Sequence, residues 1–269
     1  MIDTKKTIKH IVSWLKEYIK KSQSNGFIIG ISGGIDSSVT SVLVAMTTHP
    51  TITLEMPILE KKKNFLSQKH INFLKSKFIN VHSLKRDLSC LLNNFCTVVN
   101  TDDNNVTTIT EIKKNKNLAL ANIKSRLRMM TLYYYANIKN YLVVGTGNKI
   151  EDFGVGFFTK YGDGGVDLHP IADLTKSEIR SIAKELNILD CIQNAIPTDG
   201  LWDDQRSDEE QLKASYEELE WAMKMSEKKL KRISSFKERK YEIMKIYQTL
   251  HKKNIHKMIP IPVCKIPRN

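Results

Sequence analysis

The run Gly30-Ile31-Ser32-Gly33-Gly34-Ile35-Asp36-Ser37-Ser38 places glycines, hydroxyls and one carboxylate between an apolar segment and the start of a helical one. That pattern suits a phosphate chain. Glycines let backbone amides approach an anion, and a helix N-terminus adds positive potential. The serines supply further donors, and Asp36 can hold magnesium on the phosphates. The run is neither GxxxxGK[ST] nor GxGxxG, so it is not one of the commoner nucleotide loops. A bare turn between strand and helix would need neither the serine before Gly-Gly nor the Asp-Ser after it. A second stretch, residues 153–167, is dense in glycine and aromatics and reads as a functional loop.

These residues need a scaffold, and the first half of the chain supplies one. Apolar positions Ile8, Ile11, Leu15, Tyr18 and Ile19 recur at helical spacing and predict a helix over 3–22. Asn25-Gly26 then leads into a buried strand over 27–31. Further elements are expected in order: a helix over 36–46, a strand over 52–56, a helix over 65–77, a strand over 78–81 and a helix over 84–95. A polar loop over 100–110, a helix over 119–136 and a strand over 141–145 follow. Short β-branched strands separated by helices imply an α/β fold with a doubly wound, mainly parallel sheet flanked by helices. Ligands on such sheets lie beyond the carboxyl ends of the strands.

The second half reads as helical. Thr175 with Glu178 makes a capping box for a helix over 175–187. Ser207 with Glu210 makes another, opening a helix through 223. A charged helix over 226–250 precedes a proline-rich tail. Leu212, Tyr216, Leu219 and Met223 share one helical face and suit a core or a subunit interface.

Composition excludes several classes. The chain has 269 residues, with 41% hydrophobic and 26% charged, as in an ordinary globular protein. No apolar run approaches the roughly 18 residues of a membrane span, and the N-terminus does not read as a secretory leader. The cytoplasm is the expected location, with no membrane partner. Four cysteines form no CxxC pair and no zinc-ligand cluster. A net charge of +13 raises the question of nucleic acid, but the lysines are scattered and no aromatic-rich basic stripe accompanies them. A lysine-rich surface with no nucleic-acid partner is the preferred reading, and a polyanionic small substrate also suits the charge.

The glycine-serine run resembles that of the SGGxDS ATP pyrophosphatases, which cleave ATP between the α and β phosphates and adenylylate an oxygen of the second substrate. Within that superfamily the chain resembles the ammonia-dependent NAD synthetases over about residues 10–265, nearly its whole length. Asn122-Ile123-Lys124-Ser125-Arg126-Leu127-Arg128-Met129 is similar to their N-x-K-x-R-x-R-M helix. Gly145-Thr146-Gly147-Asn148-Lys149-Ile150-Glu151 is similar to their second ATP-contacting segment. Phe157-Phe158-Thr159-Lys160-Tyr161-Gly162-Asp163-Gly164-Gly165-Val166-Asp167 resembles their most diagnostic stretch. Pro170, Leu174-Thr175-Lys176, Pro197-Thr198-Asp199-Gly200-Leu201 and His256-Lys257 follow in the family's order.

The resemblance implies a Rossmann-like adenine nucleotide alpha hydrolase fold in one domain over 1–269, with a helical C-terminal part and no glutamine-hydrolysing domain. It implies ATP, deamido-NAD and ammonia as substrates, magnesium as cofactor and a homodimer. ATP contacts are expected at Gly30, Ile31, Ser32, Gly33, Gly34, Ile35, Asp36, Ser37, Thr146, Lys176 and Thr198. Deamido-NAD contacts are expected at Arg126, Lys160, Asp167, His256 and Lys257, the last two reaching over from the tail. Asp36 and Glu151 would share the metal, and Asp163 would assist deprotonation of ammonium. Met56-Pro57-Ile58-Leu59-Glu60-Lys61 lacks the arginine that the family often carries there, so the adenine contacts stay unassigned.

The expected reaction makes a deamido-NAD adenylate, which ammonia converts to the amide with release of AMP; pyrophosphate leaves in the first step. Two alternatives stand beside it. A tRNA-modifying ATP pyrophosphatase would suit the basic charge but gives the Lys160–Asp167 loop no purpose. A non-catalytic nucleotide sensor could dispense with Asp36 or Glu151, and both are present.

Overall fold

The computed structural model describes residues 2–59, 65–99, 109–198, 200–201, 207–228 and 238–267, of which 109–114 by backbone alone. Among the described residues four parallel strands form the centre: β1 (Gly26–Gly30), β2 (Thr51–Glu55), β3 (Val81–Lys85) and β4 (Tyr141–Val144), in the order β3-β2-β1-β4. β1 pairs with β2 on one side and β4 on the other, with Ile28 opposite both Ile52 and Val143. The chain walks outward from β1 to β3 and then returns to the far side of β1. The switch point therefore lies between the carboxyl ends of β1 and β4, where a ligand crevice opens in such sheets.

Side-chain alternation along β1 feeds two cores. Phe27 and Ile29 point into a layer made by α1 (Thr4–Ser22), α2 (Ile35–Ala45), α3 (Phe65–Lys77), α6 (Lys176–Glu185) and α7 (Asp190–Gln193). Ile28 points the other way, onto α4 (Ser89–Val99) and α5 (Ile109–Lys139), where Leu92, Leu132 and Ala136 are buried. A third core joins a π-helical turn (Lys149–Val155) to α8 (Asp208–Leu212), α9 (Tyr216–Glu227) and α10 (Glu238–Met258). Leu212, Tyr216 and Leu219 are buried in that third core, with Met223 packed against it, which resolves the choice between core and interface.

Several boundaries differ from expectation. The third strand runs over 81–85 rather than 78–81. The Phe78 amide still bonds to the Leu74 carbonyl, as a helix end does, and Ile79 is 99% exposed. Val-His-Ser-Leu-Lys is a polar strand, and it is tolerated because β3 is the sheet's edge. The next helix therefore starts at Ser89, not 84. α5 begins at Ile109, ten residues before the apolar pattern predicts, so 109–110 are helical; residues 100–108 of the expected loop lie outside the described residues. The helix expected from Ser207 through 223 breaks at Lys213, which takes a left-handed φ of 58°. A further capping box, Ser215 with Glu218, restarts it. Of the helix expected over 226–250, residues 229–237 lie outside the described residues, and α10 continues to Met258.

One buried histidine makes the α2–α3 packing sensitive to acid. His70 is fully buried, with Nε2 2.8 Å from Ser41 Oγ and Nδ1 without a partner. Burial lowers its pKa to about 4. The unfolded chain protonates near 6.5, so it binds the extra proton between those values and stability falls as pH drops through that window. The neutral ring's contribution is present above about pH 6.5 and lost by pH 4, a span of about 3 kcal/mol. Urea denaturation should show this loss in the native chain and a flatter profile in His70→Phe. Parallel profiles for the two proteins would contradict the assignment.

Candidate active site at the switch point

β1 ends at Gly30 and the chain turns through Gly33, whose φ of 86° lies in the left-handed region that glycine enters without strain. Gly34 then caps α2, and an apolar helix body follows, buried through Ala45. The turn is tied to itself. Ser32 Oγ lies 3.0 Å from Ser37 Oγ and accepts from the Gly34 amide at 3.2 Å. Ser37 and Ser38 both donate to the Gly34 carbonyl, at 3.0 and 2.9 Å. Ser32 and Gly34 stay exposed on the rim while Ile31, Gly33 and Ile35 are buried beneath. The result is a rigid collar of amides and hydroxyls at a helix N-terminus, a geometry that receives an anion.

Directly beside it lies a cation shared by two acids. Lys176, at the first position of α6, is 3% exposed and donates to Asp36 Oδ2 at 2.7 Å and Glu151 Oε1 at 3.0 Å. Asp36 comes from the first turn of α2 and Glu151 from the π-helical turn after β4, so the three side chains meet from three elements. The capping box of Thr175 and Glu178 fixes where α6 starts, and so where Lys176 points. Asn148 caps the π-helical turn through Oδ1 and donates from Nδ2 to Asp36 Oδ2 at 3.2 Å. Tyr216 Oη lies 2.6 Å from Glu151 Oε1 and 3.1 Å from Asp208 Oδ2, with its ring beneath the Lys176 ammonium at 4.7 Å.

Burial governs the charges here. It raises the Asp36 carboxyl above its ordinary value, against the pull of Lys176. Glu151 is equally buried, but Lys176 and the bonds from Tyr216 and Asn148 hold it below its ordinary value. Lys176 would be lowered by burial alone; the two carboxylates outweigh that and raise it. Asp36 Oδ1 is buried and has no partner. Two carboxylates converging from α2 and the π-helical turn, one with an oxygen unused, form a hard oxygen donor set that fits magnesium.

Tyr216→Phe removes the phenol hydroxyl that donates to Glu151. A hydrogen bond to a charged group contributes about 1.5–3 kcal/mol, so the variant should lose that much stability by thermal or urea denaturation. An unchanged midpoint would show that the bond carries no weight.

The loop over 157–167 is held mainly by α5. Asp163 Oδ1 accepts from Ser125 Oγ at 2.7 Å and from the Thr159 amide at 3.0 Å, while the Asp163 amide donates to Ser125 Oγ at 2.8 Å. Thr159 Oγ1 donates to Asn122 Oδ1 at 2.7 Å. Arg126 donates to the Lys160 carbonyl at 3.3 Å, and Arg128 to the Met56 carbonyl at 3.1 Å. Lys124 donates to the Leu201 carbonyl at 3.0 Å. Asn122, Ser125 and Arg126 thus tie the 157–167 loop to one helix, while Lys124 and Arg128 tie two other segments to it. Much of Asp163 faces solvent, yet the protein packed round its carboxyl raises it above the ordinary value, opposed by the Ser125 and Thr159 bonds.

Other expected residues fall around this centre. His256 and Lys257 sit in the last turns of α10, not in a loose tail. Lys257 donates to the Phe158 carbonyl at 2.7 Å, and Lys160 donates to the His256 carbonyl at 2.7 Å. Asp167 is engaged at both oxygens, accepting from Tyr133 Oη at 2.9 Å and from the Val143 amide at 2.7 Å. It anchors the loop to β4. Thr146 is half-buried just beyond β4. Thr198 is exposed beside Pro197, which with Ile35 lines a cleft of about 450 Å³ between α6 and α7. Asp199, from the same motif, lies outside the described residues. Ser125, Asn148, Asp152, Asp208 and Tyr216 were given no functional role from sequence. Only Asn148 had a local signal, an amide two and three residues ahead of the donors it caps.

Fold and site together define a doubly wound nucleotide-binding protein with an anion-receiving turn backed by a buried cation cluster. The model of the NAD synthase family matches residues 7–260. The NH(3)-dependent NAD(+) synthetase of Carboxydothermus hydrogenoformans is 36% identical over 217 residues, which cover 78% of this chain and 81% of that protein. That of Malacoplasma penetrans is 37% identical over 216 residues, covering 80% and 81%. The chain belongs to the NAD synthase family. Among solved structures, the NMN synthetase of Francisella tularensis superposes with a TM-score of 0.81 at 26% identity, covering 99% of this chain and all of that one. The NH3-dependent NAD synthetase of Campylobacter jejuni shares the fold, with a TM-score of 0.75 at 24% identity.

Proposed function

We propose that this chain amidates deamido-NAD to NAD with ATP and ammonia, through an acyl-adenylate. The observation that carries the reading is the Asp36–Lys176–Glu151 cluster set against the Gly30–Ser38 turn. A carboxylate has no good leaving group, and adenylylation supplies one. The difficulty is bringing a carboxylate to a polyphosphate, since two unit charges at 4 Å repel by about 4 kcal/mol even at an effective dielectric of 20. The amides and hydroxyls of residues 32–38 take the pyrophosphate end, and Lys176 offers a fixed positive charge at the same place. Asp36 and Glu151 would hold magnesium, which neutralises phosphate charge when bound. Thr146 and Thr198 are the further ATP contacts of this reading.

Lys160, Arg126, His256 and Lys257 form the deamido-NAD side, with Asp167 setting the position of their loop. The 157–167 loop excludes water, which would otherwise hydrolyse the adenylate. Asp163 takes the proton that ammonium must lose before it attacks. Free ammonia is the nitrogen source of this single domain. The proposed assembly is a homodimer packed through the outer face of α4 and α5, where Leu91, Val98, Met130, Tyr134 and Ile138 are exposed. That face also carries an apolar cleft of about 620 Å³ lined by Phe95, Leu127 and Met130. Free thiols at Cys90, Cys96, Cys191 and Cys264 suit the cytoplasm.

The likeness to the Francisella tularensis NMN synthetase over both full lengths favours one further reading, in which the amidated carboxylate belongs to a mononucleotide. Incubation with ATP, magnesium, ammonium and either acid separates the two. AMP and NAD should appear in equal amounts from deamido-NAD. AMP and NMN from the mononucleotide alone would favour the second, and turnover with glutamine equal to that with ammonium would overturn the nitrogen source. A tRNA-modifying activity is disfavoured by the family match.

A further inference from the structure

The last carbonyls of a helical turn have no partner within it. The π-helical turn that carries Glu151 ends at Gly156, whose φ of 66° is left-handed. The amides of Gly156 and Phe157 both return to the Glu151 carbonyl, the second at 2.7 Å. Gly154 and Val155 are buried, so their carbonyls need partners from another element. α10 supplies them. His251 Nδ1 donates to the Gly154 carbonyl at 2.6 Å, and Asn254 Nδ2 donates to the Val155 carbonyl at 2.8 Å. Because the acceptor is a carbonyl, the His251 ring carries a hydrogen on Nδ1. Lys257 continues the row, onto the Phe158 carbonyl.

These donors stand at i, i+3 and i+6, along about 9 Å of one helix face. His251, Asn254 and Lys257 are half-buried there, while Lys252, Lys253, Ile255 and His256 are exposed. Tyr247 stacks on the His251 ring, with centroids 5.8 Å apart and 18° between planes, and so fixes the plane of the ring. The opposing chain is shaped to this face. A Cβ on Gly156 would collide with Asn254 Cβ, so only glycine allows the two backbones this approach. The apolar packing of α10 is provided by Ile243, Met244 and Tyr247 in the third core. The bonds from His251 and Asn254 therefore add direction rather than burial. They set where the turn lies along α10 and around it.

The contact joins the two halves of the proposed site. Glu151 stands on the turn, bonded to Lys176 at 3.0 Å, and belongs to the ATP side. Lys257, and the His256 carbonyl that receives Lys160, belong to the deamido-NAD side and stand on α10. Adenylylation needs the carboxylate of one substrate in line with a phosphate of the other, and an error of about 1 Å can cost about 10²-fold.

We infer that His251 and Asn254 are positioning residues for adenylylation: by capping Gly154 and Val155 they fix the spacing between Glu151 and the Lys160–Lys257 side. The inference rests on the amidation reading and adds to it the contact that aligns its two substrates. Neither side chain is placed against a substrate atom. Their loss should therefore appear in kcat, while ATP binds as before.

The test uses the full chain and steady-state amidation of deamido-NAD, beside hydrogen exchange of the Gly156 and Phe157 amides. His251→Gln and His251→Leu should lower kcat about tenfold or more, while the KM for ATP changes less than about twofold. Exchange at the two amides should quicken about tenfold or more in both. His251→Asn should keep the native kcat within about twofold, because its amide nitrogen takes the place of Nδ1, whereas that of His251→Gln takes the place of Nε2. Asn254→Leu should match His251→Leu. If His251→Leu does not fold, His251→Gln carries the test. Native kcat in His251→Gln and Asn254→Leu would overturn the inference. So would equal losses in His251→Asn and His251→Gln, since the bond would then not be the cause. A rise in the KM for ATP as large as the fall in kcat would also overturn it. A native chain that forms no AMP from deamido-NAD defeats the amidation reading and this inference with it. A native chain that amidates while every variant keeps its kcat defeats the positioning role alone.

Discussion

Lys176→Met should lose amidation by about 10²- to 10³-fold and fold stability by about 3–5 kcal/mol together. The lysine is 3% exposed and its ammonium stands between Asp36 and Glu151 at 2.7 and 3.0 Å. Methionine keeps the length of the side chain but withdraws the charge, leaving two buried carboxylates facing each other. Removing one partner of a buried ionic group costs far more than the group contributes, because the remaining charge stays desolvated. Arginine should not rescue it, since its planar fork cannot enter a space shaped for a compact ammonium over the Tyr216 ring. Steady-state rates and urea midpoints check both halves. Native-like stability in the methionine variant would mean that the two acids are not held ionised by this lysine.

Asp36→Ala should behave in the opposite way. AMP formation should fall by about 10²- to 10³-fold, because the collar loses its metal ligand. Stability should hold or rise slightly near neutral pH. Burial raises the Asp36 carboxyl, so the folded state disfavours its ionised form relative to the unfolded chain, and removing the group removes that cost. Lys176 keeps Glu151 as its partner. Pyrophosphate release, followed beside thermal denaturation, separates the two effects. Turnover at the native rate would refute the role given to Asp36.

The contrast between these residues shows how the site divides its labour. Lys176 is both structural and electrostatic, which follows from its place in the first turn of a capped helix. Asp36 sits under the collar at a cost to the fold, as a group kept for chemistry does. Ser125, Thr159 and Asn122 belong to a third kind. They touch no proposed substrate atom, yet they fix the loop that carries Asp163 and Lys160.

The legible features were those written in local sequence. The phosphate turn, the parallel order of elements and both capping boxes on α6 and α8 need only neighbours within a few residues, and they stand where expected. Features that depend on distant partners were not legible. β3 slid to 81–85 because an edge strand has no need of an apolar run. The break at Lys213 depends on a left-handed residue that carries no glycine to announce it. The Asp36–Lys176 bond spans 140 positions, so spacing alone could not show that the lysine points inward at the acids rather than out toward a ligand. Tyr216 looked like one apolar position on a helix face, and its hydroxyl proves to bear on Glu151. The tail reading of His256 and Lys257 missed that α10 continues to Met258.

A structure of the chain bound to ATP and magnesium bears most directly on the collar. The β and γ phosphates should lie against the amides and hydroxyls of residues 32–38, with the metal between Asp36 and Glu151. Phosphates bound elsewhere, with the turn left bare, would contradict the account.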